Sequence, residues 1–183
     1  MQKEYEIAVF GGGCFWCTEA VFSELKGVVS VVAGYAGGHT ENPTYRQVCS
    51  DNTGHAESTQ IEFDPSQITY NRLLEVFFAT HDPTTLNRQG ADRGTHYRSI
   101  ILHTDDDQKE QAEAFIRELD SSGTKSDPIV TEVVRLEKFY PAEADHQDFY
   151  MNNPGAMYCQ VVIRPKVEKV RREFSEDLRL PAD

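Results

Sequence analysis

Cys14 is the residue of this chain whose setting best suits covalent chemistry. It ends a glycine turn, Gly-Gly-Gly-Cys-Phe-Trp-Cys at 11–17, that joins a strand-like segment to a segment of helical composition. Unpaired amides and the positive dipole end of a helix N-terminus stabilise a thiolate, which lowers the thiol pKa and yields a nucleophile. Most cysteines instead act as small buried hydrophobes, which suits Cys49, between Val48 and Ser50. We therefore predict a catalytic Cys14 and a structural Cys49.

The same turn allows three other interpretations. The glycines complete neither a G-x-G-x-x-G nor a P-loop, since no Gly-Lys-Ser/Thr follows. A zinc site would need a second Cys-x-x-Cys or paired histidines, whereas Cys49 and Cys159 stand alone, so we expect no metal and no other cofactor. Cys14 and Cys17 do form a Cys-x-x-Cys, which keeps a thioredoxin-like dithiol–disulfide oxidoreductase as the main rival. That rival needs a cis-proline facing the thiols, for which Asp-Pro at 127–128 is the candidate.

Glu57 is the second residue singled out by its position. On a predicted strand at 56–64 it shares a face with Thr59, Ile61 and Phe63, which points its carboxyl toward the core. Burial raises a carboxyl pKa and keeps the group protonated at neutral pH. A solvated glutamate is commoner, but one on the apolar face of a strand is a candidate general acid.

The composition limits the class of protein. The 183 residues include 18 basic and 30 acidic side chains, for a net charge of −12, and the mean hydropathy is −0.54; these values suit one globular domain over 1–183. The negative field repels phosphate backbones and anionic lipid, so we expect neither nucleic-acid nor membrane binding. The N-terminus lacks the apolar stretch of a secretion signal, which predicts a reducing, cytoplasmic location.

The elements that must position these residues follow from periodicity and turn signals. The predicted strands are 4–10, 28–35, 56–64, 97–103 and 130–139. The predicted helices are 14–25, 69–80, 105–120, 142–151 and one that begins at Pro165, with loops at 37–54, 83–95 and 152–160. Because strands and helices mix without strict βαβ alternation, we predict an α+β two-layer sandwich with Cys14 at the start of its first helix.

The segment Gly-Gly-Cys-Phe-Trp at 12–16 resembles the signature of the A-type peptide-methionine (S)-S-oxide reductases, the MsrA family. The likeness continues in order along nearly the whole chain. The matching segments are Gly-Tyr-Ala-Gly-Gly at 34–38, Asn-Pro-Thr-Tyr at 42–45, Thr-Gly-His-Ala-Glu at 53–57, His-Asp-Pro at 81–83, the run at 89–99, Phe-Tyr-Pro-Ala-Glu at 139–143, Asp-His-Gln at 145–147 and Asn-Pro at 153–154. The resemblance implies a mixed sheet, reduction of methionine S-sulfoxide and thioredoxin as the reductant.

The resemblance also implies a role for each site residue. Cys14 would attack the sulfoxide sulfur, and Glu57 would protonate the oxygen, which is a poor leaving group until it is protonated. Phe15 and Trp16 would line the pocket for the substrate's methyl group. The residues that would hydrogen-bond the oxygen or order substrate and water are Tyr45, Tyr97 and Asp92.

The thiol that resolves a Cys14 sulfenic acid is left open between Cys159 and Cys17. Many relatives carry glycine at Cys17, and some end in a Gly-rich tail with two late cysteines, whereas this chain has a single late cysteine followed by a helix. Cys17 lies one helical turn beyond Cys14, inside a helix. Cys159 is predicted in a mobile Gly- and Pro-containing loop, which favours it as the resolving thiol with Cys17 as the alternative.

The sequence therefore predicts a thiol-dependent methionine sulfoxide reductase that forms a sulfenic acid and then an internal disulfide. A binding module that recognises oxidised methionine without reducing it is a third class, which Glu57 and a second usable thiol argue against. Whether the substrate is protein-bound or free is left open, as is the oligomeric state, for which a monomer is expected.

Overall fold

The computed structural model describes residues 4–180, and a six-stranded sheet forms its centre. The strands are β1 Glu6–Gly12, β2 Val28–Ala36, β3 Ala56–Phe63, β4 Arg88–Gln89, β5 Asp92–Arg93, β6 Ser99–His103, β7 Glu132–Arg135 and β8 Phe139–Pro141. The sheet order is β7-β6-β1-β3-β2-β8, while β4 and β5 pair separately. Strands β6 and β7 are parallel and the other neighbours are antiparallel. The predicted mixed sheet is confirmed.

Six α-helices and several short helical turns connect the strands. The helices are α1 Phe15–Ser23, α2 Tyr45–Cys49, α3 Tyr70–Thr80, α4 Asp106–Ser121, α5 Phe149–Asn152 and α6 Arg164–Glu173. Thr69 caps α3 and Asp105 caps α4, each by accepting a backbone N–H from three residues ahead. No helix within residues 4–180 is long and apolar enough to cross a membrane.

The two faces of the sheet carry different cores, as the alternation in β1 predicts. Ala8 and Phe10 face the helices and join a cluster that includes apolar side chains of α1, α3, α4 and α6. The Phe10 ring stacks on Phe77 of α3 with centroids 4.8 Å apart, and burying such a side chain contributes about 1.5–3 kcal/mol. Val9 points to the opposite face, where Phe139 packs against it. The predicted α+β two-layer arrangement is confirmed.

The structure corrects several predicted segments. The loop at 37–54 contains α2, the loop at 83–95 contains the β4–β5 pair, and the helix at 142–151 is a 3-10 turn followed by α5. The predicted strand at 130–139 is two strands: β7 pairs with β6 at one edge, and β8 pairs with β2 at the other. One β-branched run gives no signal that its two halves pair at opposite edges of the sheet, with only residues 136–138 between them.

The prediction that Cys159 lies in a loop is wrong. It begins a π-helical turn, Cys159–Ile163, that runs directly into α6. The side chain is fully buried, in the same apolar cluster as Cys14 and Cys17. The Gly and Pro residues of the preceding loop end before this turn, so their flexibility does not extend to Cys159.

Candidate active site

The turn between β1 and α1 places Cys14 at the N-cap of α1, as predicted. Gly13 makes this turn with φ of +97°, a conformation that favours glycine. The Phe15 amide, the first of the helix, donates to Glu57 Oε2 at 3.0 Å. A carboxyl from β3 therefore occupies the N-terminus of the helix that carries the thiol, and this single hydrogen bond joins residues 42 positions apart.

Glu57 is buried on β3, as the strand pattern predicts, with 1% of its surface exposed. Burial raises the pKa of Glu57 to about 8, the Phe15 amide opposes this rise, and the negative charge of Asp92 adds to it. Glu57 is therefore mainly protonated at neutral pH. A buried, protonated carboxyl beside a thiol is equipped to donate a proton.

The predicted low pKa of Cys14 is wrong. Burial raises the pKa of Cys14 well above its ordinary range, and negative charge at Glu57 and Cys17 raises it further. Hydrogen bonds from the Trp16 amide and the Tyr158 hydroxyl favour the thiolate, but they are outweighed. The helix start does act as expected, yet loss of water is the larger effect. When Glu57 is protonated it carries no charge, so it no longer raises the pKa of Cys14.

Aromatic rings line one side of the site. Phe15 is buried and lies 6.4 Å from the Tyr45 ring and 5.4 Å from the His146 ring, between centroids. The Trp16 indole donates to His146 Nδ1 at 3.2 Å and stacks on Phe149 with centroids 3.6 Å apart. These contacts hold both rings beside Cys14 in one cluster, where the resemblance places the methyl pocket.

The polar side of the site is formed by the two predicted tyrosines and Asp92. Burial raises the pKa values of Tyr45 and Tyr97, and the charge of Glu57 raises both further. Both phenols therefore stay protonated and can donate hydrogen bonds. Glu143 positions Tyr45 by accepting its backbone N–H at 3.2 Å, at the start of α2. Asp92 influences both Glu57 and Tyr97 electrostatically, so the predicted polar residues converge on one place.

Tyr158 is a residue of the site that sequence reasoning missed. Its hydroxyl donates to Asp92 Oδ2 at 2.8 Å and lies 3.9 Å from Cys17 Sγ. It also lies near Cys14, where it favours the thiolate. Its place immediately before Cys159 was the available signal, because the segment that carries a late thiol must approach the nucleophile. His146 and Phe149 were missed as well, and only the Asp-His-Gln match at 145–147 pointed to one of them.

The two candidate resolving thiols are both buried. Cys17 is 3% exposed, and burial raises its pKa, against the opposing charge of Lys166. Burial also raises the pKa of Cys159. Neither thiol therefore has the environment of a strong nucleophile.

The structural role predicted for Cys49 is wrong. The side chain lies at the exposed end of α2 rather than in the core. Its sulfur is within 4.8 Å of a Glu57 oxygen and a His96 ring nitrogen. The local sequence, Val-Cys-Ser, contains no signal of this, because the contact depends on how α2 packs against β3.

Two further features of the described residues, a surface groove and the peptide bond at 127–128, lack the groups that the rival chemistry needs. The open groove of about 770 Å³ lined by Glu132, Arg135, Lys138 and Tyr140, among others, has no cysteine among its described residues and so offers no nucleophile for sulfur chemistry. No peptide bond within residues 4–180 is cis, so the bond at 127–128 does not provide the cis-proline that a thioredoxin-like site requires.

Comparison with known proteins agrees with this geometry. The family model for peptide methionine sulfoxide reductase matches residues 6–178. The protein named peptide methionine sulfoxide reductase MsrA from Natronomonas pharaonis is 59% identical over 92% of this chain and 95% of its own length. Mxr1 from Saccharomyces cerevisiae in reduced form is similar in structure, with a TM-score of 0.78 and 31% identity over 85% of this chain and 90% of that one. Methionine sulfoxide reductase A of Corynebacterium diphtheriae gives a TM-score of 0.75 and 36% identity over 85% and 78%.

Proposed function

Because the chain belongs to the peptide methionine sulfoxide reductase family, we propose that it reduces methionine S-sulfoxide, in proteins or as the free amino acid, through Cys14. The observation that carries the proposal is the hydrogen bond from the Phe15 amide to Glu57. It holds a mainly protonated carboxyl at the start of the helix that bears the thiol. Nucleophile and acid are thus fixed to the same helix terminus.

In the reductive step the Cys14 sulfur attacks the sulfoxide sulfur while Glu57 gives its proton to the sulfoxide oxygen. The polarised sulfoxide sulfur is partly positive and stabilises the approaching thiolate. This attack forms an S–S bond between Cys14 and the substrate, and the oxygen departs as water with the protons of Glu57 and of the Cys14 thiol. A water molecule then attacks the Cys14 sulfur and returns a proton to Glu57. The S–S bond breaks toward the substrate, so that methionine is released and Cys14 becomes a sulfenic acid. The substrate sulfur gains two electrons and the Cys14 sulfur loses two. Overall, the Cys14 thiol and the sulfoxide are converted to a sulfenic acid and a thioether.

The surrounding groups orient the substrate. Tyr45 and Tyr97 stay protonated and donate to the oxygen, which gains negative charge before the proton arrives. Phe15 and Trp16 hold the methyl group, because both rings are fixed by aromatic contacts beside Cys14. Asp92 orders substrate or water on the polar side, and its bond from Tyr158 supports it there.

In the recycling step Cys159 attacks the Cys14 sulfenic acid, which forms a disulfide and releases water. Its location in the Cys14 cluster and beside Tyr158, whose hydroxyl contacts Cys14, supports this assignment. Cys159 is fully buried in a helical turn, and we expect the segment 153–163 to move as its sulfur approaches Cys14. Cys17 is the alternative, since it needs no such movement.

The reductant of that disulfide is a thioredoxin, whose dithiol becomes a disulfide as both enzyme thiols are restored. The yeast relative Mxr1 has been crystallised in complex with Trx2. We place the enzyme in the cytoplasm, where its thiols are kept reduced. A monomer is sufficient, because all of the proposed site residues come from one chain.

The test is incubation of the protein with each sulfoxide epimer of a blocked methionine sulfoxide and a thiol reductant. Methionine formation from the S epimer alone supports the proposal. Stoichiometric binding of the sulfoxide without product would instead indicate a binding module. Product from the R epimer alone, or exchange of protein disulfides without sulfoxide reduction, would refute the proposal.

A further inference from the structure

Glu57 is one of three potential metal ligands that lie close together. The Cys49 sulfur, a Glu57 carboxylate oxygen and a His96 ring nitrogen all lie within 4.8 Å of one another. They come from the end of α2, from β3 and from a 3-10 turn at Thr95–Tyr97. We expected no metal site partly because Cys49 stands alone in the sequence, but the fold brings Glu57 and His96 close to it.

Asp51, which is not itself one of the three ligands, orients the His96 ring for metal binding. Its Nδ1 lies 2.6 Å from Asp51 Oδ1, which favours the tautomer with the proton on Nδ1 and a free electron pair on Nε2. The same Asp51 oxygen accepts a hydrogen bond from the Thr95 hydroxyl at 2.9 Å. A histidine ligand held by a carboxylate in this way is typical of zinc sites in proteins.

We propose that Cys49, Glu57 and His96 bind Zn²⁺, and that the bound ion inhibits the reductase. Thiolate, imidazole and carboxylate are the three ligand types that zinc prefers, and three protein ligands leave a fourth position for water. Zinc holds such ligands at about 2.0–2.3 Å, so their atoms lie roughly 3.5 Å apart. The observed separations, none above 4.8 Å, would therefore have to shorten by at most about 1.3 Å.

The inhibition rests on the proposed function, because it acts through the acid role of Glu57. A carboxylate that coordinates zinc has lost its proton and cannot protonate the sulfoxide oxygen. Cys49 likewise binds zinc as a thiolate, so the bound ion engages the same Glu57 carboxyl that the proposed reaction uses. Cys49 lies at the surface and Glu57 is buried, which gives the ion an approach from solvent.

Binding is measured first, without reference to activity. Co²⁺ is titrated into the Cys14→Ser protein, which keeps the proposed ligands but lacks the nucleophilic thiol. The expected result is one ion per chain with a thiolate-to-cobalt absorption band. Adding Cys49→Ser should remove the band, and adding Asp51→Asn should weaken binding about 10- to 100-fold. Asn tolerates the left-handed conformation of residue 51, whose φ is +60°, and metal-free melting curves check that each variant is folded.

A thiolate band that survives in the Cys49→Ser variant would assign the metal to Cys17 or Cys159 and overturn the proposal. Absence of any band in the parent protein would also overturn it. If the band behaves as expected while the enzyme shows no sulfoxide reduction, the metal site stands and the proposed function fails. The two proposals are therefore separable.

Inhibition is measured in a single turnover of prereduced enzyme without added thiol, because dithiols chelate zinc. Zn²⁺ should block methionine release by the parent enzyme. The Cys49→Ser variant should need at least about tenfold more zinc for the same effect, since one of three ligands is missing. Equal sensitivity of the two proteins would show that zinc acts elsewhere, for example on Cys14 itself.

Discussion

Two buried glutamates belong to or contact helix α1: Glu19 lies within it and Glu57 binds its first amide. They differ in the residues that surround them. Glu57 accepts the Phe15 amide at 3.0 Å at the first turn, and Glu19, within the helix, accepts the Asp148 amide at 2.9 Å. Burial is the main cause of a raised pKa in both, to about 8 for Glu57 and about 7 for Glu19. Their exposed fractions are 1% and 2%. By burial, pKa direction and hydrogen bonding the two are nearly equivalent.

The residues around Glu57 and Glu19 distinguish the two carboxyls. Glu57 influences Cys14 and two protonated phenols and is influenced by Asp92, so in the proposed reaction its proton lies near both the nucleophile and the sulfoxide oxygen. Glu19 instead holds the start of α5, from which Phe149 stacks on Trp16. The comparison teaches that a raised pKa identifies a buried carboxyl, whereas a catalytic role requires reacting groups within reach. Four substitutions, each with its own measurement or control, test this distinction and the cysteine roles on which it depends.

Cys14→Ser should abolish the first turnover, the largest effect expected. A serine hydroxyl has a far higher pKa than a thiol, so no nucleophile forms at neutral pH. The measurement is methionine released per enzyme from the S-sulfoxide, with melting curves to show that the fold is kept. Measurable methionine from a folded variant would contradict the assignment of Cys14.

Glu57→Gln should slow the first turnover by about 10²- to 10⁴-fold, the range for a positioned general acid. The glutamine oxygen can still accept the Phe15 amide, so the helix start is preserved and only the acidic proton is lost. In the parent enzyme the acid-dependent rate should fall as pH rises through about 8, the pKa of Glu57. The variant should lack that decline. A rate close to the parent's at neutral pH would assign the acid elsewhere.

Glu19→Gln should change the first turnover little, because the amide oxygen can still hold the Asp148 backbone. Its main effect is on stability. The folded-state pKa of about 7 lies above the ordinary value of 4.5, so between these values the folded state holds more protons than the unfolded one. The free energy of unfolding of the parent therefore falls as pH rises from about 4.5 to about 7, and the cost is fully present above that range. The variant should lose this dependence.

Melting curves of the parent and the Glu19→Gln variant across that pH range provide the measurement. Glu19→Ala is the matched control, since it removes the acceptor of the Asp148 amide as well as the charge and should loosen α5. A strong loss of first-turnover rate in Glu19→Gln would mean that Glu19 takes part in the chemistry and would remove the contrast with Glu57.

Cys159→Ser should leave the first turnover unchanged and stop the second. With thioredoxin as the sole reductant, the variant should release about one methionine per enzyme and stall as a sulfenic acid. A reagent specific for sulfenic acids then labels Cys14. Cys17→Ser is the matched variant and should keep turning over. If Cys17→Ser stalls and Cys159→Ser does not, Cys17 is the resolving thiol.

Local sequence determined the elements whose signals lie within a few residues. The strand at 4–10, the helix at 69–80 and the start of α1 at Cys14 were all predicted, because each depends on side-chain period or turn chemistry alone. The burial of Glu57 was predicted in the same way, from the apolar face it shares on β3. The resemblance added Tyr45, Asp92 and Tyr97, which no local pattern would single out.

Tertiary structure alone decided the features that depend on distant segments. The pKa of Cys14 is raised rather than lowered because rings and strands from elsewhere in the chain exclude water from the helix start. Cys159 is buried in a helical turn because it packs into that same cluster. Cys49 meets His96 and Glu57 across three elements. Burial and charge are set by everything that surrounds a group, and the residues next to it in sequence are only a small part of that environment.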